Sequence, residues 1–427
     1  MSDMSSMNRE TKKRQLKSRV ITPNAAPPPR MEMDDGDSEE IVKKASRKVW
    51  RRRFFLSLAA ALAITGAGFG YYQYQASHQY MDYQISWEHN VERSDSSINE
   101  YINFGNNVIK YSKDGAAYTD NQGKDIWIES YEMKSPEAVV NGDYAAIADR
   151  QGNSIYICNK DGRQGIATTL LPITKVAVSA HGVVAAIQED SKAGKITFFR
   201  NDGTPLDISI KSTLEKDGYP IDLSLSPDGT QLMVSYVYLS SGAAKGQVVF
   251  YNFSEIGKNV PGRLVAGYKD IYDNSLIARV RFLTETYSCA FADNSLTFFS
   301  SKNVMSPEML VQIPVEEEIR SIFYSQDFAG IVVNNTSGEN PYRVDVYKNT
   351  GEKQFSKDFN LQYTHADIDG DYVLLYNEDS CEVYNMQGNL KFRGEFDFTV
   401  SKVTKGRLPG TFIVMGPQTI KEIKLGG

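Results

Sequence analysis

The sequence predicts an all-β fold, a propeller of eight blades or of seven if two units merge, preceded by one transmembrane α-helix and a disordered N-terminal tail. Three observations carry that expectation. One uncharged stretch lies near the N-terminus, short alternating strand patterns fill most of the remainder, and those patterns recur at intervals of roughly 37 to 50 residues.

The uncharged stretch runs from Phe54 to Tyr72, FFLSLAAALAITGAGFGYY, and its 19 residues match the length a helix needs to cross a bilayer core. Arg47, Lys48, Arg51, Arg52 and Arg53 stand before it, and no Asp, Glu, Lys or Arg follows until Asp82. By the positive-inside rule the N-terminus is cytoplasmic and the chain beyond the span extracytoplasmic. Trp50 at the entry and Tyr71, Tyr72 and Tyr74 at the exit fit interfacial aromatic belts. The charge balance divides at the same place: residues 1–53 hold 14 Lys and Arg against 8 Asp and Glu, whereas residues 54–427 hold 33 against 45. A cleaved leader is the competing reading, because Ala61-Leu62-Ala63 is an A-x-A-like site. Cleavage there would leave an apolar core of seven residues behind a 53-residue leader, so an anchor is the better account.

Residues 1–40 show no apolar periodicity; they run basic, then Pro-rich, then acidic, and read as a disordered cytoplasmic tail. Residues 41–53 read as a basic juxtamembrane helix continuous with a span at 54–74, residues 75–81 as a linker, and residues 82–427 as the outer domain. Cys158, Cys289 and Cys381 sit in strand-like runs and are too sparse for a disulfide framework, so they read as small core residues.

The repeats decide the architecture. Tyr118–Gly123, Ile157–Gly162, Phe198–Gly203, Val346–Gly351 and Val383–Gly388 each place an apolar residue five positions before a turn glycine, and those glycines are spaced by 39, 41, 148 and 37 residues. Two further strand runs inside the long gap, at 248–253 and 295–303, divide it into two longer repeats. A second element, a turn followed by a half-buried strand, recurs at 141–149, 180–190, 226–237 and 369–379. Blades are expected to start near Tyr101, Ser135, Pro172, Tyr219, Ser275, Glu317 and Gln362. An eighth, starting near Phe398, has only three strands before residue 427, and the orphan strand at 83–92 is expected to complete it. Such closure removes the open sheet edge a ring must not leave. It would also tie the last blade to the segment that leaves the membrane.

The SPDG turn at 226–229 resembles those of WD-like propellers. AYTDNQGKDIW at 117–127 resembles the repeat of quinoprotein-like propellers, in which a Trp at the position of Trp127 docks neighbouring blades. Basic tail, single span and degenerate propeller together are similar to a family of uncharacterised single-span membrane proteins of Gram-positive bacteria. The resemblance covers the whole chain and brings no catalytic motif with it.

Candidate sites are few. Asp367, Asp369, Asp371 and Glu378 stand at positions 1, 3, 5 and 12 of a calcium-loop frame. Yet the glycine, Gly370, is at position 4 instead of 6, and Tyr372–Tyr376 reads as a strand. Repeat turn chemistry is the better account, and no metal or cofactor is expected. The four histidines, His78, His89, His181 and His365, lack any metal-binding spacing. Gly66 and Gly70 in the span form a small-xxx-small step that permits close helix approach and a homodimer. The acidic outer domain disfavours nucleic acid.

Three functions stay open. A non-enzymatic module would bind a protein or cell-envelope partner on a propeller face while residues 54–74 hold it in lipid. An extracytoplasmic enzyme, of degenerate quinoprotein-like or hydrolase type, would need a polar cluster at the channel mouth, and a sensor would signal through the cytoplasmic tail.

Overall fold

The computed structural model describes residues 35–90, 100–190, 193–214, 217–336 and 338–426. The chain divides into one unit up to Gln73 and a second from Tyr74 onward. In the first unit, helix α1 (Asp35–Ser77) runs unbroken for 43 residues and continues into the second. It includes Asp35–Glu40, which the sequence reading places in the tail. The expected basic tail residues 1–34 lie outside the described residues. Trp50–Tyr71, 22 residues, is long and apolar enough to cross a membrane, and its hydrophobic window is not buried against any part of the protein.

The second unit is built from eight four-stranded antiparallel sheets. Seven are continuous in sequence, at 100–130, 136–168, 173–213, 219–268, 277–314, 319–359 and 365–395. They are blades 1 to 7, each with strands a to d from the channel outward, and they begin within a few residues of the expected starts. Blade 8 takes strands a to c from Lys402–Lys405, Thr411–Met415 and Thr419–Gly426, and its outermost strand is Asp82–Asn90. That strand runs antiparallel to Thr419–Gly426, with Tyr83 opposite Leu425, Ile85 opposite Ile423 and Asn90 opposite Thr419. The ring is therefore closed by the segment the sequence left orphaned.

Apolar clusters fill the gaps between blades rather than a single centre. Ile187, Ile196, Leu223 and Val234 join blades 3 and 4, and Leu374, Phe392, Phe412 and Ile423 join blades 7 and 8. Each sheet thus buries both faces, which is why the inner strands read as unbroken apolar runs.

The repeat glycines explain how neighbouring blades approach so closely. Gly203, in the c–d turn of blade 3, has a φ of +84°, and a Cβ there would lie 2.3 Å from the carbonyl oxygen of Ile166 on the outer strand of blade 2. The same turn of each blade meets the outer strand of the one before at Gly123 (His89), Gly351 (Val311) and Gly388 (Phe355). Trp127 docks as its resemblance implies: its indole N–H donates to the carbonyl of Asn159 in blade 2 at 3.1 Å. Blades 4 and 5 lack the glycine because their c–d connections are longer. Blade 4 holds 3-10 turns at Gly257–Asn259 and Pro261–Arg263, and Asn252 donates to the carbonyl of Val304 in blade 5 at 3.1 Å.

The segment read as a linker is ordered differently. It stays helical to Ser77, and His78 and Tyr80 are then held by blade 7. The buried Lys391 ammonium donates to the carbonyl of His78 at 2.6 Å, the Tyr80 N–H donates to the carbonyl of Lys391 at 2.8 Å, and Tyr80 pairs with Phe392 in a parallel bridge. All three cysteines are buried and free, so no disulfide forms.

Replacing Gly203 by Ala should destabilise the protein by about 2–4 kcal/mol, from left-handed strain plus the clash with blade 2. Gly242 has a similar φ of +82° but open space around it, so Gly242→Ala should cost only about 1 kcal/mol. Urea unfolding of the two variants side by side checks this; equal costs would show that the close approach carries no energy.

Candidate functional site

A central cavity of about 710 Å³ is walled by the innermost strands of all eight blades. Phe104, Val176, Ile322 and Ile368 supply apolar wall, and Glu137, Arg279, Arg281, Asp367 and Lys402 supply charge. Opposite charges pair across three of the eight blade junctions. Glu137 of blade 2 accepts from Lys175 of blade 3 at 2.9 Å, Asp222 of blade 4 from Arg281 of blade 5 at 3.2 Å, and Asp367 of blade 7 from Lys402 of blade 8 at 2.5 Å. In each pair the acid sits on one blade and the base on the next.

Local backbone geometry sets these side chains. The innermost strands of blades 3, 4, 5 and 6 carry a register shift at Ile173/Lys175, Pro220/Asp222, Ile277/Arg279 and Ile319/Ser321. A bulge re-aims the residues that follow it. Those residues are Lys175, Asp222, Arg279 and Ser321, and each reaches a neighbouring blade or, for Ser321, Tyr363 on the approach to blade 7 at 3.0 Å.

Asp222 is the most enclosed member, 2% exposed. Its Oδ2 also accepts the Val280 N–H at 2.9 Å, and Arg279 lies 3.9 Å from its other oxygen. Arg281 spans three blades, donating from Nε to the Tyr324 hydroxyl at 2.6 Å with the Tyr324 ring 5.2 Å from its guanidinium carbon. Burial works against the Arg281 charge, but Tyr324 and Asp222 outweigh it and hold the guanidinium above its ordinary value. Asn103 Oδ1, on a residue of the wall, is buried without a hydrogen-bond partner, whereas Glu137 Oε2 faces Arg150 Nε at 3.6 Å.

The residues singled out from sequence are scattered. Asp367 and Asp369 lie on the innermost strand of blade 7, His365–Asp369, and Asp371 in the turn after it. Glu378 lies beyond the far end of the next strand, Tyr372–Tyr376, roughly 16 Å of extended chain away. Asp369 accepts the Lys405 N–H at 2.8 Å, and burial raises its pKa. Among the described residues no group of three or more His, Cys, Asp or Glu is placed to hold a metal. His181 sits in the a–b turn of blade 3, His89 against Gly123, and His78 between the rings of Tyr74 and Tyr80. A Cβ at Gly66 or Gly70 would meet nothing within 4 Å.

These pairs were missed because each lies in two different repeats. Lys175 is 38 residues from Glu137, Arg281 is 59 from Asp222 and Lys402 is 35 from Asp367, each about one blade. Opposite charges one period apart were the available signal.

Eight radial sheets around a charge-lined channel define an eight-bladed β-propeller. Residues 76–425 match the model of a family of unknown function, DUF5711, and the chain belongs to that family. No curated protein matches the sequence. The fold is similar to that of BamB from Moraxella catarrhalis, at 12% identity and a TM-score of 0.50 over 80% of this chain and 100% of that one. It is also similar to Chaetomium thermophilum Sqt1 bound to the N-terminus of ribosomal protein L10, at 10% identity and a TM-score of 0.49 over 77% and 95%. Such likeness speaks to the fold alone.

Two expectations follow. Asp222→Ala strands Arg281 and should cost about 3–5 kcal/mol, whereas Asp222→Leu combined with Arg281→Met should recover most of that loss; a double-mutant unfolding cycle with no coupling would show the pair to be idle. His365 stacks on Tyr376 at 4.9 Å, burial lowers its pKa, and the nearby charges are Asp367 and Lys402. A depressed histidine pKa means the unfolded chain takes up the proton first, so stability should fall as pH drops below about 6.5. His365→Gln should flatten that part of the Tm–pH curve; an unchanged slope would assign it to other groups.

Proposed function

We propose that this protein is a membrane-anchored extracytoplasmic propeller that binds a protein or cell-envelope partner on one of its turn faces. The observation that carries the reading is the use of charge in the channel. Glu137, Asp222 and Asp367 are each committed to a base on the next blade, an arrangement that locks blades together. A catalytic acid or base needs freedom to exchange its proton with a substrate, and these groups are tied to one another. The rigid ring then presents its connecting segments as the free surface, where binding residues of such scaffolds concentrate. Trp50–Tyr71 supplies an anchor of sufficient length, and the arginines before it favour a cytoplasmic N-terminus.

The topology is tested by cysteine labelling, which is clean because the three native thiols are buried. In intact cells an impermeant maleimide should label Ser241→Cys at once and Ser5→Cys only after permeabilisation. The opposite order would overturn the assignment of the propeller to the outside.

A further inference from the structure

The two turn faces of the propeller differ in charge. In each blade the a–b and c–d turns lie on one face, and the b–c turns share the other with the connections between blades, as antiparallel succession requires. Among the described connecting residues, the first face carries 10 Asp and Glu against 7 Lys and Arg, and the second carries 13 against 4.

On this second, acidic face one element projects. Strands b and c of blade 4, Gln231–Ser240 and Ala243–Asn252, are ten residues each, while other blades use five to seven in those positions except for the eight-residue Thr419–Gly426. Strand a pairs with strand b only as far as Tyr219 opposite Val237, and strand d with strand c only over Val248–Tyr251. Tyr238–Ser240 and Ala243–Lys245 therefore form a two-stranded ribbon that has, among the described residues, no strand on either outer edge. Ser241 and Gly242, with φ of 53° and 82°, turn its tip.

The ribbon and its base expose apolar side chains among three aspartates and two lysines, Lys245 and Lys269, the latter 4.8 Å from the Tyr238 ring. Leu239 near the tip is 57% exposed, and Leu214 and Leu276 in the connections on either side are 38% and 44% exposed. Asp217, Asp270 and Asp273 in the same connections are exposed, and Asp273 pairs with Lys245 of the ribbon at 2.5 Å. An unpaired edge is a template for a further strand. A strand laid on it alternates its side chains between two faces, so it can offer apolar groups to the leucines and cations to the aspartates. An acidic segment would be repelled, and a wholly apolar one would leave the carboxylates desolvated and unpaired.

We propose that the ribbon of blade 4 docks an extended partner-protein segment of alternating basic and apolar residues by strand addition. This rests on the protein-binding reading above and names its face and the chemistry of its partner.

The test uses the full chain in detergent micelles and a labelled ten-residue peptide alternating Lys and Val, with a Glu–Val peptide as counterpart. In one variant residues 239–244 are replaced by Asn-Gly, a turn that fits the Tyr238–Lys245 pair. A second carries Asp217→Asn, Asp270→Asn and Asp273→Asn, and a control on the other face carries Asp143→Asn, Asp161→Asn and Asp202→Asn. The Lys–Val peptide should bind and weaken at least about tenfold with each of the first two variants, more at low salt than at high. It should be unaffected by the control, and the Glu–Val peptide should not bind. No binding, binding indifferent to the first two variants, or equal loss with the control would overturn the proposal. A photo-crosslinking residue at Leu239 and another at Asn201, on the other face, separate the two readings in intact cells. Adducts at Leu239 support the proposal, adducts at Asn201 alone overturn it while leaving the binding reading intact, and none at either position overturns both.

Discussion

Eight register pairs between Asp82–Asn90 and Thr419–Gly426 hold the ring shut, and the rest of the propeller depends on them. Every other blade is made from consecutive strands and would form its sheet in an open array. Without the outermost strand of blade 8, the edge of Thr419–Gly426 is left unpaired and blade 1 loses the neighbour against which Gly123 packs. The apolar layers between blades are continuous around the circle, so an opening at one place exposes core at two. This is the reason a strand 330 residues away in sequence is conscripted into the last sheet.

Ring closure also sets how charge is used. Near the axis the first strands crowd together, and a like-charged ring would push the blades apart. Acid on one blade and base on the next turns that crowding into cross-links at the junctions 2–3, 4–5 and 7–8. The enclosed Asp222–Arg281 pair is costly to desolvate, and a well-packed apolar pair would often be as stable. At these three junctions each acid meets a base on the next blade, an arrangement that favours the native succession of blades. The outer rims have no such constraint, and there the sequence is free to build one face more acidic than the other.

Much of the fold was legible because turn chemistry and burial are local. The c–d turn glycines could be read because a left-handed turn beside another backbone tolerates little else, and the orphan strand at 83–92 because the last blade was one strand short. Blades 4 and 5 were harder to divide, since Gly257–Asn259 and Pro261–Arg263 replace the glycine turn and remove the marker. The channel ring was not legible. Bulges at Lys175, Asp222 and Arg279 move each side chain by one position relative to simple alternation, so the pattern of faces breaks where the pairs form. The ordering of His78 and Tyr80 by Lys391 escaped notice because a lone lysine in an outer strand reads as solvated. The ribbon of blade 4 was not legible, because the strand patterns read at 226–237 and 248–253 stop on either side of it.

The closing strand also fixes an order of events during biosynthesis. Asp82–Asn90 is among the first parts of the propeller to be made, and its partner Thr419–Gly426 is the last. At ordinary rates of translation the 330 residues between them take on the order of 20 to 60 seconds. For that interval the early strand must wait unpaired while seven blades accumulate behind it. A chain that lacks Thr419–Gly426 forfeits the closure as surely as one that lacks Asp82–Asn90, so this architecture couples the soundness of the whole ring to two strands made far apart in time.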